Sequence, residues 1–131
     1  RNSHKYQHLY LFFIDLDEFK NINDTYGHYD GDVILQLVAD SLQSVCIIDG
    51  ICTRYGGDEF AILKNFHDEN DVPAFCAQVK QAIEERRVRE KIEYNVGLSI
   101  GYTKVDTQND TVKSLIQRAD KAMYESKRKP E

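Results

Sequence analysis

The chain has 131 residues, 41% of them hydrophobic and 30% charged, with a formal net charge of −5. That length suits one domain with a core of its own, and the composition is ordinary for a soluble globular chain. The acidic balance argues against a general nucleic-acid or anionic-membrane binder, and no apolar run nears the ~20 residues a bilayer span needs.

Residues 1–8 are polar and irregular and read as a linker remnant. With Arg1 in place of an initiator Met and no signal peptide, the chain reads as a fragment of something longer. Leu9–Asp15 is apolar until its last residue and predicts a strand buried on both faces. Asp15 closes that run. A carboxylate at the end of a buried strand is costly to desolvate unless it meets a cation. Phe19–Tyr26 predicts a short helix ended by Gly27, and Asp32–Val45 a second helix with Leu35, Val38, Leu42 and Val45 on one stripe. Ile51–Tyr55 and Glu59–Lys64 predict a hairpin whose tip is Gly56-Gly57-Asp58. Glycines there permit positive φ and close approach of a ligand to the backbone, and Asp58 with Glu59 offers the hard oxygen donors that Mg²⁺ seeks.

Asp71-Val72-Pro73 opens a third helix, with Pro near the first turn. Glu84 to Lys91 is charge-rich and predicts a solvated helix end and loop. Tyr94–Val105 predicts a strand in which Gly97, Ser99 and Gly101 leave room for something to pack closely on one face. Thr111–Lys127 is the last predicted helix. Cys46, Cys52 and Cys76 are odd in number, lack metal-ligand spacing and fall in apolar patterns, which predicts buried free thiols in a reducing compartment. The order β-α-α-β-β-α-β-α predicts an α+β fold, a mostly antiparallel central sheet with helices packed on its faces. A strand-end carboxylate plus carboxylates at a hairpin tip is a way to hold a two-metal phosphoryl-transfer site.

From Leu9 to Lys129 the chain resembles the GGDEF family of diguanylate cyclases. The matching residues are Asp15-Leu16-Asp17-Glu18-Phe19-Lys20, Asn23-Asp24, Gly27-His28, Gly31-Asp32, Arg54-Tyr55-Gly56-Gly57-Asp58-Glu59-Phe60, Leu98-Ser99-Ile100-Gly101 and Arg118-Ala119-Asp120-Lys121-Ala122-Met123-Tyr124 with Lys127. The resemblance implies a palm-like, nucleotidyl-cyclase-like fold over residues 9–131, short of the family pattern at both ends, and an enzyme that condenses two GTP into cyclic di-GMP and two pyrophosphates. It implies two Mg²⁺ ions, or Mn²⁺ in their place, per half-site, held by Asp15, Asp58, Glu59 and the Leu16 carbonyl. Asp58 would also accept the proton of the attacking 3′-OH.

By the same resemblance Asn23 and Asp32 read guanine, with His28 beside them. The amides of Glu18 and Phe19 and the ammonium groups of Lys20 and Lys121 lie near the triphosphate. Other roles stand beside these: Asp32 as N-cap of the second helix, His28 as a cap of the first helix, Lys20 as a solubilising side chain. Gln117 stands where a second basic residue is common. Ile47 and Gly50 replace the Arg and Asp of a product-inhibition site, which this chain should therefore lack. The implied partners are GTP, a second copy of the domain, and a sensor or phosphodiesterase domain in a longer protein, with neither nucleic acid nor membrane contacted by this domain. The implied location is cytoplasmic, with tethering to a membrane protein through regions outside this chain left open. A catalytically silent, GTP-binding regulatory domain is the alternative reading.

Overall fold

The computed structural model describes residues 8–128. Its elements are β1 (Leu9–Leu16), α1 (Phe19–Tyr26), α2 (His28–Val45), β2 (Gly50–Arg54), β3 (Glu59–Asn65), α3 (Val72–Arg89), β4 (Leu98–Lys104) and α4 (Val112–Arg128). The four strands form one antiparallel sheet in the order β2-β3-β1-β4. The α+β architecture therefore stands as the element order predicts. Of the predicted linker remnant, all but His8 lies outside the described residues. The His8 carbonyl accepts a hydrogen bond from Phe66 N at 2.9 Å.

Strand alternation divides the core in two. Phe12, Ile14 and Leu16 of β1 point to one face and join Phe60 and Ile62 with the apolar stripes of α2 and α3, including Ile34, Val38, Leu42, Phe75, Val79 and Ile83. Phe13 points to the opposite face, where Ala119 and Met123 of α4 cover it. The register aligns Phe13 with Ala61 on β3 and Gly101 on β4, a row of one large and two small residues. A Cβ on Gly101 would stand 2.5 Å from Met123 Cα and 2.6 Å from the carbonyl carbon of Ala122. The bare backbone at Gly101 is thus what lets α4 lie directly on the sheet. This is the close packing that the small residues of β4 predict.

Several boundaries move from their predicted positions. α2 begins at His28, four residues before Asp32, because Gly27 both ends α1 and starts α2. Gly27 takes φ +95° and donates its N–H to Asn23 O at 2.8 Å. Asp32 accordingly lies inside α2 and is not its N-cap, and the C-cap of α1 is Gly27, with His28 already the first residue of α2. β4 begins at Leu98, since Tyr94 leaves the sheet to stack on Tyr26 with ring centroids 4.1 Å apart. α3 runs on to Arg89, so most of the charge-rich stretch is helical, its last-turn arginines facing the negative end of the helix dipole. Gly56 and Gly57 do not adopt positive φ, and the tip is open at Gly57, where a Cβ would meet nothing within 4 Å. Of the three free cysteines only Cys46 is buried; Cys52 and Cys76 are half-buried.

Candidate functional site

Two register positions beyond the Phe13 row, and so on the same face of the sheet, Asp15 lies between Glu59 on β3 and Ser99 on β4. Like charges directly opposed across an antiparallel pair are destabilising, and here one of them is 6% exposed. Asp58 precedes Glu59, and its carbonyl accepts from Leu16 N at 3.2 Å, so the hairpin tip is tied to the end of β1. Asp17 turns aside, its carboxylate accepting from Ser99 Oγ at 2.5 Å and its N–H donating to Gly97 O at 2.9 Å.

The electrostatics follow from this crowding. Burial, then the charge of Asp15, push the Asp58 carboxyl above its ordinary pKa. Burial, then Asp15, Asp58 and Asp120, do the same to Glu59. The opposing charge is Lys127, whose ammonium donates to Asp15 Oδ2 from the last turn of α4. Hydrogen bonding to Asp15, aided by the charges of Asp17 and Asp58, raises the Lys127 pKa. Among the described residues Asp15 Oδ1 is buried and has no hydrogen-bond partner.

That orphaned oxygen, in a knot of acidic groups, fits a divalent cation. Among the described residues no three His, Cys, Asp or Glu side chains meet at one point. Mg²⁺ asks for no more than one or two carboxylates where phosphates and water complete its shell, so the Asp15–Asp58 corner suffices.

Arg54 supports the tip. Its Nε lies 3.1 Å from the carbonyl oxygens of Gly56 and Gly57, and its Nη2 donates to Gly57 O at 2.5 Å. Tyr55 N and Gly56 N donate to Glu59 O at 2.8 and 3.2 Å. The loop that presents Asp58 is therefore held from both sides.

The other predicted residues lie along α1 and α2. Asn23 is half-buried, and a Cβ on Gly31 would overlap its Oδ1 and stand 2.9 Å from its Cγ and 3.3 Å from the Phe19 ring. Gly31 thus makes the space in which Asn23 sits. Asp32, one residue on, lines a cleft of about 620 Å³ between α2 and β2 together with Leu35, Gln36, Arg54 and Phe60. Neither Asn23 nor His28 lines that cleft, and His28 is exposed at the first position of α2. Glu18 adopts φ +54°, ψ +34° before α1, and its side chain makes no capping hydrogen bond to the helix. The first N–H groups of α1 thus remain available to an anion.

Lys20 is exposed and paired with Asp24 at 2.9 Å, one helical turn away. Lys121 is exposed on α4. Asp120 and Lys127, seven residues apart and hence on one helix face, are the α4 residues whose charges reach the carboxylates. The role of Lys127 is the one sequence reasoning misses, since no local spacing connects residues 112 positions apart. The Arg54 clamp was within reach, its acceptors lying two and three residues downstream.

A family model described as "Diguanylate cyclase, GGDEF domain" matches residues 1–131. Diguanylate cyclase A of Treponema denticola is 38% identical over 124 residues, covering 94% of this chain and 33% of that protein. The chain thus spans about a third of the length of this curated relative. The structure of a delta-N mutant of TpbB (YfiN) from Pseudomonas aeruginosa that comprises only the GGDEF domain aligns with a TM-score of 0.82 at 30% identity, over 98% of this chain and 76% of that one. The GGDEF domain of DgcB from Caulobacter crescentus, solved in complex with c-di-GMP, aligns with a TM-score of 0.70 at 27% identity, over 97% and 77%.

Proposed function

The chain belongs to the GGDEF domain family of diguanylate cyclases, and from that premise we propose that it is a catalytic domain condensing two GTP into cyclic di-GMP and two pyrophosphates. The observation that carries this reading is the placing of Asp15 opposite Glu59 and beside the Asp58 tip at one end of the central strands, with Asp15 Oδ1 buried and, among the described residues, unsatisfied. Such an arrangement has a structural cost and no evident structural return.

Asp15, Asp58 and Glu59, with the Leu16 carbonyl, would hold Mg²⁺ or Mn²⁺. Bound there, the ion supplies charge neutralisation to the triphosphate and acidity to the ribose 3′-OH. The remaining work falls to the chain. The uncapped first turn of α1, through the amides of Glu18 and Phe19, binds phosphate oxygens, with Lys20 and Lys121 as cationic partners once Lys20 leaves Asp24. Asn23 and Asp32 read the guanine edge, the amide and the carboxylate offering donor and acceptor to N1, N2 and O6, with His28 at its margin. An Asp58 carboxylate oxygen accepts the 3′-OH proton.

One domain binds one GTP, so two domains face each other and each 3′-OH attacks the other molecule's α-phosphate. The partner is a second copy of this domain, brought up by sensor or other domains of a longer protein. Among the described residues no helix is long and apolar enough to cross a membrane. With Ile47 exposed and Gly50 opening β2, product is expected to compete only at the substrate pocket.

The test is GTP turnover with Mg²⁺, followed by chromatography of cyclic di-GMP, on this chain and on a coiled-coil fusion. Activity per domain rises with concentration for the free chain and is high at low concentration for the fusion. Asp58→Asn abolishes it. Turnover of Asp58→Asn within tenfold of the parent, or activity independent of dilution in a proven monomer, refutes the reading.

A further inference from the structure

Lys127 occupies a position that its place in the helix does not require. It stands in the last turn of α4, where a cation already finds the negative end of the helix dipole and open solvent. Its side chain is 44% exposed, yet its ammonium is committed to the buried Asp15. The commitment is built in through α4 itself. Ala119 and Met123 sit on Phe13, and Gly101 admits the helix onto the backbone of β4. At the other end Arg118 ties α4 down through Asp110 Oδ1 at 2.6 Å, Thr103 Oγ1 at 2.9 Å and Lys104 O at 2.9 Å. A helix anchored this way delivers Lys127 to one place. Asp15, Asp17 and Asp58 all act on the ammonium there, and Asp120 and Glu59 adjoin them.

We propose that Lys127 is a resident, displaceable counter-ion of the metal site: it neutralises Asp15 in the metal-free domain and yields Asp15 Oδ2 when a divalent cation is bound. This rests on the reading of Asp15 as a metal ligand. The consequence is thermodynamic. Metal binding without nucleotide must first break the Lys127–Asp15 pair and expose its ammonium beside a new cation. A triphosphate gives that ammonium another anionic partner. Metal and nucleotide therefore bind with positive cooperativity, and each raises the affinity of the other by the same factor.

The experiment uses Lys127→Met, which keeps length and removes charge, and Lys127→Arg, which keeps charge. Melting is followed in EDTA, and Mn²⁺ and Mg²⁺ binding by calorimetry with and without a non-hydrolysable GTP analogue. Lys127→Met should melt lower than the parent in EDTA and bind Mn²⁺ alone about tenfold more tightly, the size of effect expected when a partly buried ion pair no longer competes. The synergy between metal and nucleotide should shrink by the same factor, and Lys127→Arg should behave as the parent. In an Asp15→Asn background, Lys127→Met should cost no further melting temperature.

Unchanged or weaker Mn²⁺ binding by Lys127→Met overturns the proposal. Should that variant fail to fold, Lys127→Arg decides: Mn²⁺ affinity or cooperativity departing from the parent's overturns the counter-ion role. Full Mn²⁺ affinity in Asp15→Asn alone is a different failure. It removes the metal reading of Asp15, and this proposal with it.

Discussion

Gly31→Ala separates recognition from folding in one methyl group. In the interior of a helix such as α2, alanine is better than glycine by about 0.5–1 kcal/mol, so an uncrowded site would gain stability. Here the added Cβ falls on Asn23 Oδ1 and within 2.9 Å of its Cγ, with the Phe19 ring 3.3 Å away. Asn23 is half-buried on α1 and its amide is the movable element, so the conflict is relieved by swinging that amide away rather than by parting α1 from α2. The fold should keep its stability to within about 1 kcal/mol, the helix preference offsetting the local shift.

The proposed base-reading contact of Asn23, however, should be lost. Forfeited hydrogen bonds to a buried base cost about 1–3 kcal/mol, or roughly 5–150-fold in affinity. The assay is calorimetric titration of a non-hydrolysable GTP analogue with Mg²⁺, with the ATP counterpart in parallel and urea unfolding as the control for folding. Asn23→Ala should show a similar loss, and the double variant little more than either, since both remove the same contacts. A folded Gly31→Ala with parental GTP affinity, or one that loses GTP and ATP equally, would refute the assignment of Asn23 as a guanine reader held in place by Gly31.

Gly101→Ala acts on the fold. Its Cβ meets the backbone of α4, which has no rotamer to change, so the helix must lift and expose Phe13 and Met123. Urea unfolding should record a loss of about 3 kcal/mol or more, beyond the usual cost of overpacking a side chain, and a loss below about 1 kcal/mol would mean that α4 sits off the sheet. Asp110→Asn tests the anchor at the start of α4 by its pH dependence. The Arg118 guanidinium, then the Asp106 N–H, hold the Asp110 carboxyl well below the usual carboxylate range. A depressed folded-state pKa contributes stability that is complete above the unfolded value of about 3.9 and fades as pH falls below it. The parent should therefore melt higher than Asp110→Asn at neutral pH, and the two melting curves should converge in acid; a constant gap down to pH 2 contradicts the ion pair.

The element order and most element limits are legible in the sequence because apolar periodicity and breakers agree. Phe19–Tyr26 is bounded by the glycine after it, and the hairpin strands by Gly56-Gly57. Legibility fails where a signal is tertiary. The first turn of α2 is polar and carries no stripe, so the start at His28 depends on the backbone of Gly27 alone. Tyr94 has strand-like alternation yet leaves the sheet for Tyr26, a partner on another element. In the site, Asp15, Asp58 and Glu59 were readable as carboxylates at a strand end and a hairpin tip. That Asp15 faces Glu59 directly is a matter of register, and that Lys127 reaches Asp15 is a matter of how α4 lies on Gly101.

The place of β1 in the sheet also shapes how the chain is made. Of the four described strands the first in chain order is an inner one, and both its neighbours come later: β3 after two helices, β4 after a third. Emerging from a ribosome, β1 waits as an apolar ribbon with neither edge paired, and the contact that completes its polar end spans 112 residues. Non-local pairing of this kind slows folding and lengthens the exposure of sticky strand edges. Nascent chains arrested before β4 should be captured by holding chaperones, and release should follow the emergence of α4, whose docking closes the last open face of the sheet.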